Sequence, residues 1–269
     1  MIKLEDKVLV FNHYNDGSCR TLIDLPQFGK SPLTITWLYE RDEELLYLYY
    51  LVEHLHASCY DKLILNMPYI LNGRMDRVKN SDDVFTLKYS CNIINMMNFY
   101  KIYTYDPHSN VSIALLNRVS VENPSKEIQQ LLDMYKDATL CFPDEGSMKR
   151  LHSYFETPYC FFVKERNWET QKIESIRLAG ERHIIAGHDI ILCDDILSRG
   201  STIYSAAKQL KERGANNIYV WVSHCENTVL KPNLNGRSLI DIPDLVTKIY
   251  TTNSIFTKNH PNIEIIKRF

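Results

Sequence analysis

Apolar runs of strand length alternate with helical patterns along most of the chain. Strands that are apolar throughout and separated by helices predict a mainly parallel sheet with helices on both faces. The fold class predicted is therefore α/β. The predicted strands are 62–69, 101–108, 138–146, 158–166, 190–195 and 217–224, and the predicted helices are 42–56, 85–97, 148–155 and 202–214.

One polar stretch, "SVENPSKE" at 120–127, interrupts this alternation near the middle of the chain. Polar segments without periodicity are typical of connections between compact units. A chain of 269 residues can form one large domain or two small ones. The stretch predicts two α/β domains of similar size, 1–122 and 123–269.

The composition excludes several classes of protein. A net charge of −2 provides no overall field that would draw the chain to nucleic acid or to an anionic membrane. The first residues, "MIKLEDKVLVFN", lack a signal-peptide pattern, and no apolar run is long enough to span a bilayer. The seven cysteines include no CxxC pair, which argues against a zinc site or a disulfide framework. We therefore expect a cytoplasmic protein with no nucleic-acid or membrane partner.

Polar clusters follow each predicted strand. In open α/β sheets, ligands bind beyond the carboxyl ends of the strands. Any one cluster has an ordinary explanation as solvated surface charge, but six clusters at the same end of the strands argue against that explanation for all of them. The clusters are "NGRMDRVK", "DPH", "PDEG", "KER", "DDILSRGST" and "SH".

The side chains in these clusters favour one kind of ligand. Arginine and lysine bind polyphosphates, and carboxylates or imidazole assist a Mg²⁺ ion that keeps water and phosphate ligands. The basic candidates are Arg74, Arg77, Lys164 and Arg166. The candidate metal ligands are Asp106, His108 and Asp144.

The adjacent carboxylates of Asp194 and Asp195 are suited to accept hydrogen bonds from a sugar diol. The loop that follows opens a helix, so its backbone N–H groups and the helix dipole can bind a phosphate. A helix N-cap with a spare carboxylate is a weaker explanation, because the acidic pair precedes the loop. The loop residues are Ser198, Arg199, Gly200, Ser201 and Thr202.

These stretches resemble a known family. "IILCDDILSRGST" resembles the ribose-phosphate loop of type I phosphoribosyltransferases. The segments "MPYILNGRMDR", "DPH", "PDEGSMKR", "VKERN" and "TTNSI" resemble, in the same order, motifs of the ribose-phosphate pyrophosphokinases, or PRPP synthetases. The resemblance covers roughly residues 33–256 and rests on the combination of motifs.

The resemblance implies two type I phosphoribosyltransferase-like domains, each a mainly parallel sheet flanked by helices. Residues 1–122 would carry the ATP-binding segment. Residues 123–269 would carry the sugar-phosphate loop and the catalytic flexible loop. The implied reaction moves the β,γ-diphosphate of ATP to the anomeric hydroxyl of a ribose 5-phosphate-type acceptor, with Mg²⁺, giving a 1-diphosphate sugar and AMP. The implied assembly is a homo-oligomer, a dimer or larger.

The resemblance also implies a role for each matching residue. The catalytic residues are Lys164, Arg166 and His108. The ATP-binding residues are Arg74, Met75, Asp76, Arg77 and His108. The sugar-phosphate ligands are Asp194, Asp195 and the loop from Ser198 through Arg199, Gly200 and Ser201 to Thr202. The metal ligands are His108 and Asp144.

Two departures from the family pattern bear on the substrate. Met75 stands where the family has glutamine, and the phosphate loop reads "SRGST" where the family has "DTGGT" or a close variant. An acid is lost and Arg199 is gained. This resembles the divergent phage-type branch found with NAD-salvage enzymes, some of which use ADP-ribose as acceptor. ADP-ribose and ribose 5-phosphate both stay open as acceptors.

Three other functions are compatible with parts of the sequence. A phosphoribosyltransferase that consumes PRPP would share Asp194, Asp195 and the loop, but would not need "GRMDR", "DPH" and "KER" together. A non-catalytic PRPP-synthetase-like regulatory protein tends to lose the catalytic loop, which is present here. A plain nucleotide-binding module is the third alternative.

Overall fold

The computed structural model describes residues 1–25, 32–166, 173–232, 236–242 and 244–269, and it describes no side chains at 164–166 and 173–176. The described chain forms two compact units. The first, unit 1, comprises Met1–Glu122 with Phe269, and the second, unit 2, comprises Asn123–Arg268. In the described part of the chain, no helix is both long and apolar enough to cross a membrane.

Unit 1 contains a six-stranded sheet in the order β2-β1-β5-β6-β7-β8. Strands β5 to β8 are parallel, and β1 and β2 add an antiparallel edge. The strands of this sheet are β1 Ile2–Leu4, β2 Lys7–Val8, β5 Leu33–Trp37, β6 Leu63–Asn66, β7 Lys101–Tyr105 and β8 Val119–Glu122. A separate hairpin pairs β3 Asn12–His13 with β4 Cys19–Arg20, and the helices are α1 Glu44–Ala57, α2 Thr86–Met96 and α3 Asn110–Leu115.

Helix α1 supplies much of the core of unit 1. Its residues Leu48, Leu51, Val52 and Leu55 are fully buried and follow the spacing that places side chains on one helical face. They belong to the same core as strand residues such as Leu65. Full burial of each such side chain contributes about 1.5–3 kcal/mol, so this packing determines where the carboxyl ends of the strands lie.

Unit 2 contains a seven-stranded sheet in the order β11-β10-β9-β12-β13-β14-β15. All neighbouring strands are parallel except β10 and β11. The strands are β9 Ala138–Phe142, β10 Tyr159–Arg166, β11 Ile173–Gly180, β12 Asp189–Leu197, β13 Ile218–Cys225, β14 Lys248–Thr252 and β15 Ile263–Ile266. The helices are α4 Ser125–Met134, α5 Glu145–Leu151 and α6 Ser201–Glu212.

Both faces of this sheet are covered. Along β12, Ile190 and Leu192 belong to one hydrophobic cluster, and Ile191 and Cys193 belong to another. Successive strand residues point to opposite faces, so a strand buried on both faces must be apolar at every position. This explains the continuous apolar run in the sequence and agrees with the predicted α/β class.

Several boundaries differ from the sequence prediction. The stretch 120–127, predicted as a connection, contains the end of β8 and the start of α4, with only a short link between them. The strand predicted at 158–166 is present as β10. The structure also shows its antiparallel partner β11, which was not predicted from the sequence. The predicted helix at 148–155 begins earlier, at Glu145, and ends at Leu151, where a 3-10 turn, His152–Tyr154, continues it.

Candidate active site

An acidic pair lies near the carboxyl end of β12, the central strand of unit 2. Asp194 is 9% exposed and Asp195 is 4% exposed. The sequence predicted that this strand ends at Asp195, whereas β12 continues to Leu197, because its parallel ladder with β13 still pairs Leu197 with Cys225. The backbone of the two carboxylates is therefore held by the sheet, which limits their movement.

Arg150 provides the positive charge beside this pair. Its Nη2 lies 3.1 Å from Oδ1 of Asp195 and 4.0 Å from Oδ1 of Asp194. Arg150 is near the end of α5, the helix that follows β9. The backbone N–H of Asp195 also donates to Oδ1 of Asp194 at 3.0 Å. One mostly buried guanidinium therefore faces two buried carboxylates.

Asp194 is the carboxyl of this pair whose pKa is strongly shifted. Burial raises the pKa of its carboxyl well above the usual value, and the negative charges of Asp195 and Asp144 raise it further, while Arg150 lowers it. A ligand that donates hydrogen bonds to this carboxylate or brings positive charge would stabilise its ionised form. The local electrostatics are therefore suited to a diol or a cation.

Asp144 begins α5 as its N-cap. Its Oδ1 accepts hydrogen bonds from the backbone N–H of Ser147 at 3.0 Å and from Oγ of Ser147 at 3.1 Å. The first of these bonds satisfies one of the backbone N–H groups that the first turn of a helix leaves unpaired. Asp144 thus has a structural function in addition to its position near Asp194.

The predicted phosphate loop connects β12 to α6. Gly200 has φ +84°, and a Cβ at this position would lie 2.9 Å from Cδ2 of Leu239, so no larger residue fits without a shift. Helix α6 begins at Ser201, and no side chain caps it at Gly200. Arg199, Ser201 and Thr202 are exposed. The N-terminus of α6 therefore presents backbone N–H groups of the kind that bind anions.

In unit 1, the predicted ATP-binding segment packs against the "DPH" segment. A Cβ added at Gly73 would lie 3.9 Å from Cβ of His108, an ordinary contact distance, so the two segments are neighbours. The same Cβ would lie only 3.1 Å from the carbonyl oxygen of Ile70, a distance that favours glycine here. Arg74, Met75 and Arg77 are exposed, as is His108. The structure therefore brings the predicted ATP-binding residues of unit 1 into one region.

Asp76 is the buried member of this group, at 8% exposure. Its two carboxylate oxygens accept from Nε and Nη2 of Arg77 at 2.8 and 3.1 Å. The hydrogen bond from Arg77 is the main reason that the pKa of Asp76 is lowered, with further contributions from the Ser109 hydroxyl and the charge of His108. Asp76 is therefore a carboxylate that orients Arg77 and connects it to the loop after β7.

Asp106 directly follows β7 and adopts a left-handed backbone conformation. Its φ is +38°, in the left-handed region that residues with a side chain seldom adopt. The residue is buried, and its backbone N–H donates to the carbonyl oxygen of Glu122 at 2.9 Å. Backbone strain of this kind costs about 1–3 kcal/mol and is known to cluster at functional sites, although Asp106 is one of six non-glycine residues with positive φ in the described chain.

Lys164 and Arg166 lie in β10, where the backbone of Lys164 pairs with Ile176 of β11 and that of Arg166 pairs with Ile173. Their side chains lie outside the described residues. The structure therefore places these two positions on the antiparallel pair of strands at the edge of the unit 2 sheet.

A cavity of about 330 Å³ in unit 1 contains none of the predicted site residues. The side chains that line it are Phe11, Cys19, Thr21, Ile23, Tyr50 and His54. Within the described ranges, no group of three or more His, Cys, Asp or Glu residues is arranged to hold a metal ion.

Comparison with known proteins supports one family. The family model for the phosphoribosyl transferase domain matches residues 128–244. A ribose-phosphate pyrophosphokinase of Sulfolobus acidocaldarius is 24% identical over 261 residues, which cover 95% of this chain and 85% of that protein. The corresponding protein of Sulfurisphaera tokodaii is 25% identical over 263 residues, with the same two coverages. These matches support the ribose-phosphate pyrophosphokinase family.

The fold is similar to that of a protein with the same activity in its name. A crystal structure of phosphoribosylpyrophosphate synthetase from Mycobacterium smegmatis superposes with a TM-score of 0.75, covering 97% of this chain and 86% of that one at 16% identity. The predicted fold class is confirmed. The predicted enzyme class, a pyrophosphokinase-type transferase, is also confirmed, since the similar proteins that carry this name align along 95% of the chain.

Sequence reasoning missed several polar residues in the candidate site. Arg150 was part of the quoted segment "PDEGSMKR" but received no role, and its contact with Asp195 depends on the tertiary fold. Ser109 was not singled out, although its hydroxyl contributes to the lowered pKa of Asp76. Glu226, which contacts Ser198, gave no recognisable signal in the sequence.

The "TTNSI" segment forms a buried polar connection between neighbouring strands of unit 2. Oγ1 of Thr252 donates to the carbonyl oxygen of Ser223 at 2.7 Å, and Oγ of Ser254 lies 2.9 Å from Nδ1 of His224. His224 is 1% exposed. Hydrogen bonds between these buried groups fix the carboxyl ends of β13 and β14 relative to each other.

Proposed function

We propose that this protein transfers the β,γ-diphosphate of ATP to the anomeric hydroxyl of a ribose 5-phosphate-type acceptor, giving a 1-diphosphate sugar and AMP. The observation that supports this most directly is the buried pair Asp194–Asp195 near the end of β12, the strand that leads into the loop that opens α6. This pair occurs in a chain that is similar along 95% of its length to proteins named ribose-phosphate pyrophosphokinase.

In unit 2 we assign the sugar-phosphate site to the acidic pair and the loop. Asp194 and Asp195 accept hydrogen bonds from the ribose hydroxyls, which offset the repulsion that raises the pKa of Asp194. The backbone N–H groups of the loop hold the 5′-phosphate. The loop residues are Ser198, Arg199, Gly200, Ser201 and Thr202. Lys164 and Arg166 stabilise the charge on the diphosphate during transfer.

In unit 1 we assign ATP binding to the segment 74–77 and to His108. Arg74 and Arg77 are exposed and suited to phosphate oxygens, and Asp76 holds Arg77 through two hydrogen bonds. Met75, at 37% exposure, offers an apolar surface for the nucleotide. His108 combines ATP binding with a catalytic and metal-binding function in this proposal.

The residues present are compatible with Mg²⁺. This ion prefers hard oxygen ligands and keeps several waters, so it needs few ligands from the protein. In unit 2, Asp144 offers a carboxylate near the acidic pair of β12. In unit 1, the candidate ligand is His108. When bound, Mg²⁺ neutralises charge on the phosphate oxygens that react.

The first test is AMP formation. Protein incubated with ATP, Mg²⁺ and ribose 5-phosphate should release AMP, and excess EDTA should abolish this release until Mg²⁺ is restored. The products are separated by ion-exchange chromatography, and a reaction without acceptor controls for simple hydrolysis. Full activity in EDTA would exclude Mg²⁺, and absence of AMP with either acceptor would exclude diphosphoryl transfer.

We propose ADP-ribose as the better acceptor, in NAD salvage. Arg199 is exposed in the loop, where the family pattern has no arginine. Backbone N–H groups at a helix N-terminus bind one phosphate, whereas a 5′-diphosphate brings a further charged group. An arginine fork suits that group, and a charge-assisted hydrogen bond contributes about 1.5–3 kcal/mol.

Replacing Arg199 by threonine should therefore lower kcat/KM for ADP-ribose by about tenfold or more and leave ribose 5-phosphate nearly unchanged, since each 1.4 kcal/mol corresponds to about tenfold. Arg213→Thr, near the opposite end of α6, is the matched control. Equal losses for both acceptors, or a wild-type preference for ribose 5-phosphate, would contradict the assignment to ADP-ribose.

The same assays separate the alternatives. A phosphoribosyltransferase would consume PRPP with a base and form no AMP from ATP. A regulatory protein or a nucleotide-binding module would bind ATP without transfer. The homo-oligomeric state and the cytoplasmic location stay predictions, which size-exclusion chromatography with light scattering and cell fractionation can test.

A further inference from the structure

A carboxylate from a neighbouring loop contacts the start of the sugar-phosphate loop. Glu226 follows β13, and its Oε2 lies 2.7 Å from Oγ of Ser198 and 2.7 Å from Oγ1 of Thr228, which both donate to it. The two hydroxyl oxygens lie 3.1 Å apart. The backbone N–H of Glu226 donates to the carbonyl oxygen of Leu197 at 2.7 Å.

These contacts extend the β12–β13 pairing beyond the sheet. The ladder ends with Leu197 opposite Cys225, and the next residues, Ser198 and Glu226, continue the connection through a side chain. At the other end of the short loop, Gly200 packs against Leu239. The loop is therefore held at both ends before any ligand binds.

The same contact determines what Ser198 can offer to a ligand. A hydroxyl has one proton to donate. When that proton is donated to Glu226, the hydroxyl can only accept, and an ionised phosphate oxygen has no proton to give. The Ser198 side chain therefore stabilises the loop and does not donate a hydrogen bond to phosphate. The phosphate ligands in the proposed function are the backbone N–H groups of the loop.

We propose that Glu226 is a positioning residue for the sugar-phosphate loop, acting through Ser198 and Thr228 to hold the loop in the conformation that receives the 5′-phosphate. This inference rests on the proposed function and adds a residue to it. A hydrogen bond to an ionised carboxylate is shorter and stronger than one between neutral groups, so it suits the task of ordering a loop in advance.

The test is binding of ribose 5-phosphate by isothermal calorimetry, together with steady-state kinetics on the full chain. Glu226→Ala should raise the Kd and the acceptor KM about tenfold, while the KM for Mg²⁺-ATP changes less than about twofold. Glu226→Gln, which keeps a hydrogen-bond acceptor, should stay within about threefold of wild type. Glu264→Ala, an exposed glutamate of β15, is the matched control.

Two further comparisons separate positioning from general destabilisation. Unphosphorylated ribose should be used equally poorly by wild type and Glu226→Ala, because only the 5′-phosphate contacts the loop. Ser198→Ala should reproduce part of the loss, and the double variant should lose no more than Glu226→Ala alone, because the two residues act as one unit. If Glu226→Ala does not fold, Ser198→Ala and Thr228→Val remove the hydroxyls without deleting the carboxylate.

Wild-type affinity in Glu226→Ala, equal losses for ribose and ribose 5-phosphate, or additive losses in the double variant would overturn the inference. Tighter binding of ribose 5-phosphate by both Glu226 variants would also overturn the inference, because it would show that the carboxylate of Glu226 repels the phosphate. If the wild-type protein binds ribose 5-phosphate but forms no AMP, the proposed reaction is rejected. The binding measurements on the Glu226 variants would still test whether Glu226 positions the loop. A wild-type protein that binds neither acceptor would reject both.

Discussion

Replacing Arg150 by methionine should destabilise the protein by about 3–5 kcal/mol, because removal of one partner leaves buried carboxylates without their cation. Arg150 lies 3.1 Å from Asp195 and is itself mostly buried, so solvent screens this interaction little. The unfolding free energy is measured by urea denaturation. Lys149→Met, at the adjacent exposed position of α5, should change it by less than about 0.5 kcal/mol.

The decrease in unfolding free energy caused by Arg150→Met should depend on pH. The raised pKa of Asp194 means that the native state keeps a proton at pH values where the unfolded state has released it. The unfolding free energy therefore falls as pH rises from the usual aspartate pKa to the raised one. Arg150 lowers this pKa, so its removal extends the fall to higher pH.

The difference in unfolding free energy between Arg150→Met and wild type should accordingly be smallest near the ordinary pKa of aspartate and should grow as the pH rises above it. A difference that is independent of pH would contradict the charge-based explanation and would indicate lost packing alone. Asp195→Asn in the Arg150→Met background should restore part of the stability, because it removes one of the uncompensated charges.

Lys164→Ala and Arg166→Ala should each lower kcat by about 10²-fold or more, on the scale observed when an enzyme loses one donor to its transition state. The KM for ATP should change less, because the interaction is strongest while the diphosphate is in transfer. The sequence resemblance assigns these residues, and the structure places their backbone on the β10–β11 pair. No nucleophile pair is apparent in the sequence, so charge stabilisation should dominate catalysis.

The measurement is steady-state AMP release at saturating ATP and acceptor. Arg182→Ala, in the 3-10 turn after β11, removes a positive charge outside the proposed site and should leave kcat within about twofold of wild type. Near-normal kcat in both Lys164→Ala and Arg166→Ala would remove these residues from the mechanism.

The architecture could be predicted wherever burial leaves a continuous pattern in the sequence. The run from Ile190 to Cys193 is apolar at every position because both faces of β12 are covered. β8 could not be predicted in this way, since Val119–Glu122 is an edge strand with partly exposed side chains. Its polar pattern resembles a connection. The antiparallel pairing of β11 is likewise absent from the pattern of alternating strands and helices.

The candidate site could be predicted where its residues are neighbours in sequence. Asp194, Asp195 and the loop form one continuous motif, so they stand out without a structure. Arg150 and Glu226 could not be assigned, because each meets its partner only through the tertiary fold. Ser198 shows the limit most clearly, since the sequence predicts a phosphate ligand but cannot reveal that its hydroxyl contacts Glu226.

The unequal lengths of the strands beside β12 have a consequence for how this site can change. The ladder between β12 and β9 stops at Leu192, whereas the ladder with β13 continues to Leu197. On one side of the acidic pair lies the paired strand β13, and on the other side lies the turn that connects β9 to α5. An insertion after Phe142 could alter what faces the carboxylates without breaking either ladder. An insertion after Cys225 would instead separate Glu226 from Ser198. We therefore expect the protein to tolerate insertions on the β9 side of β12 better than insertions on the β13 side.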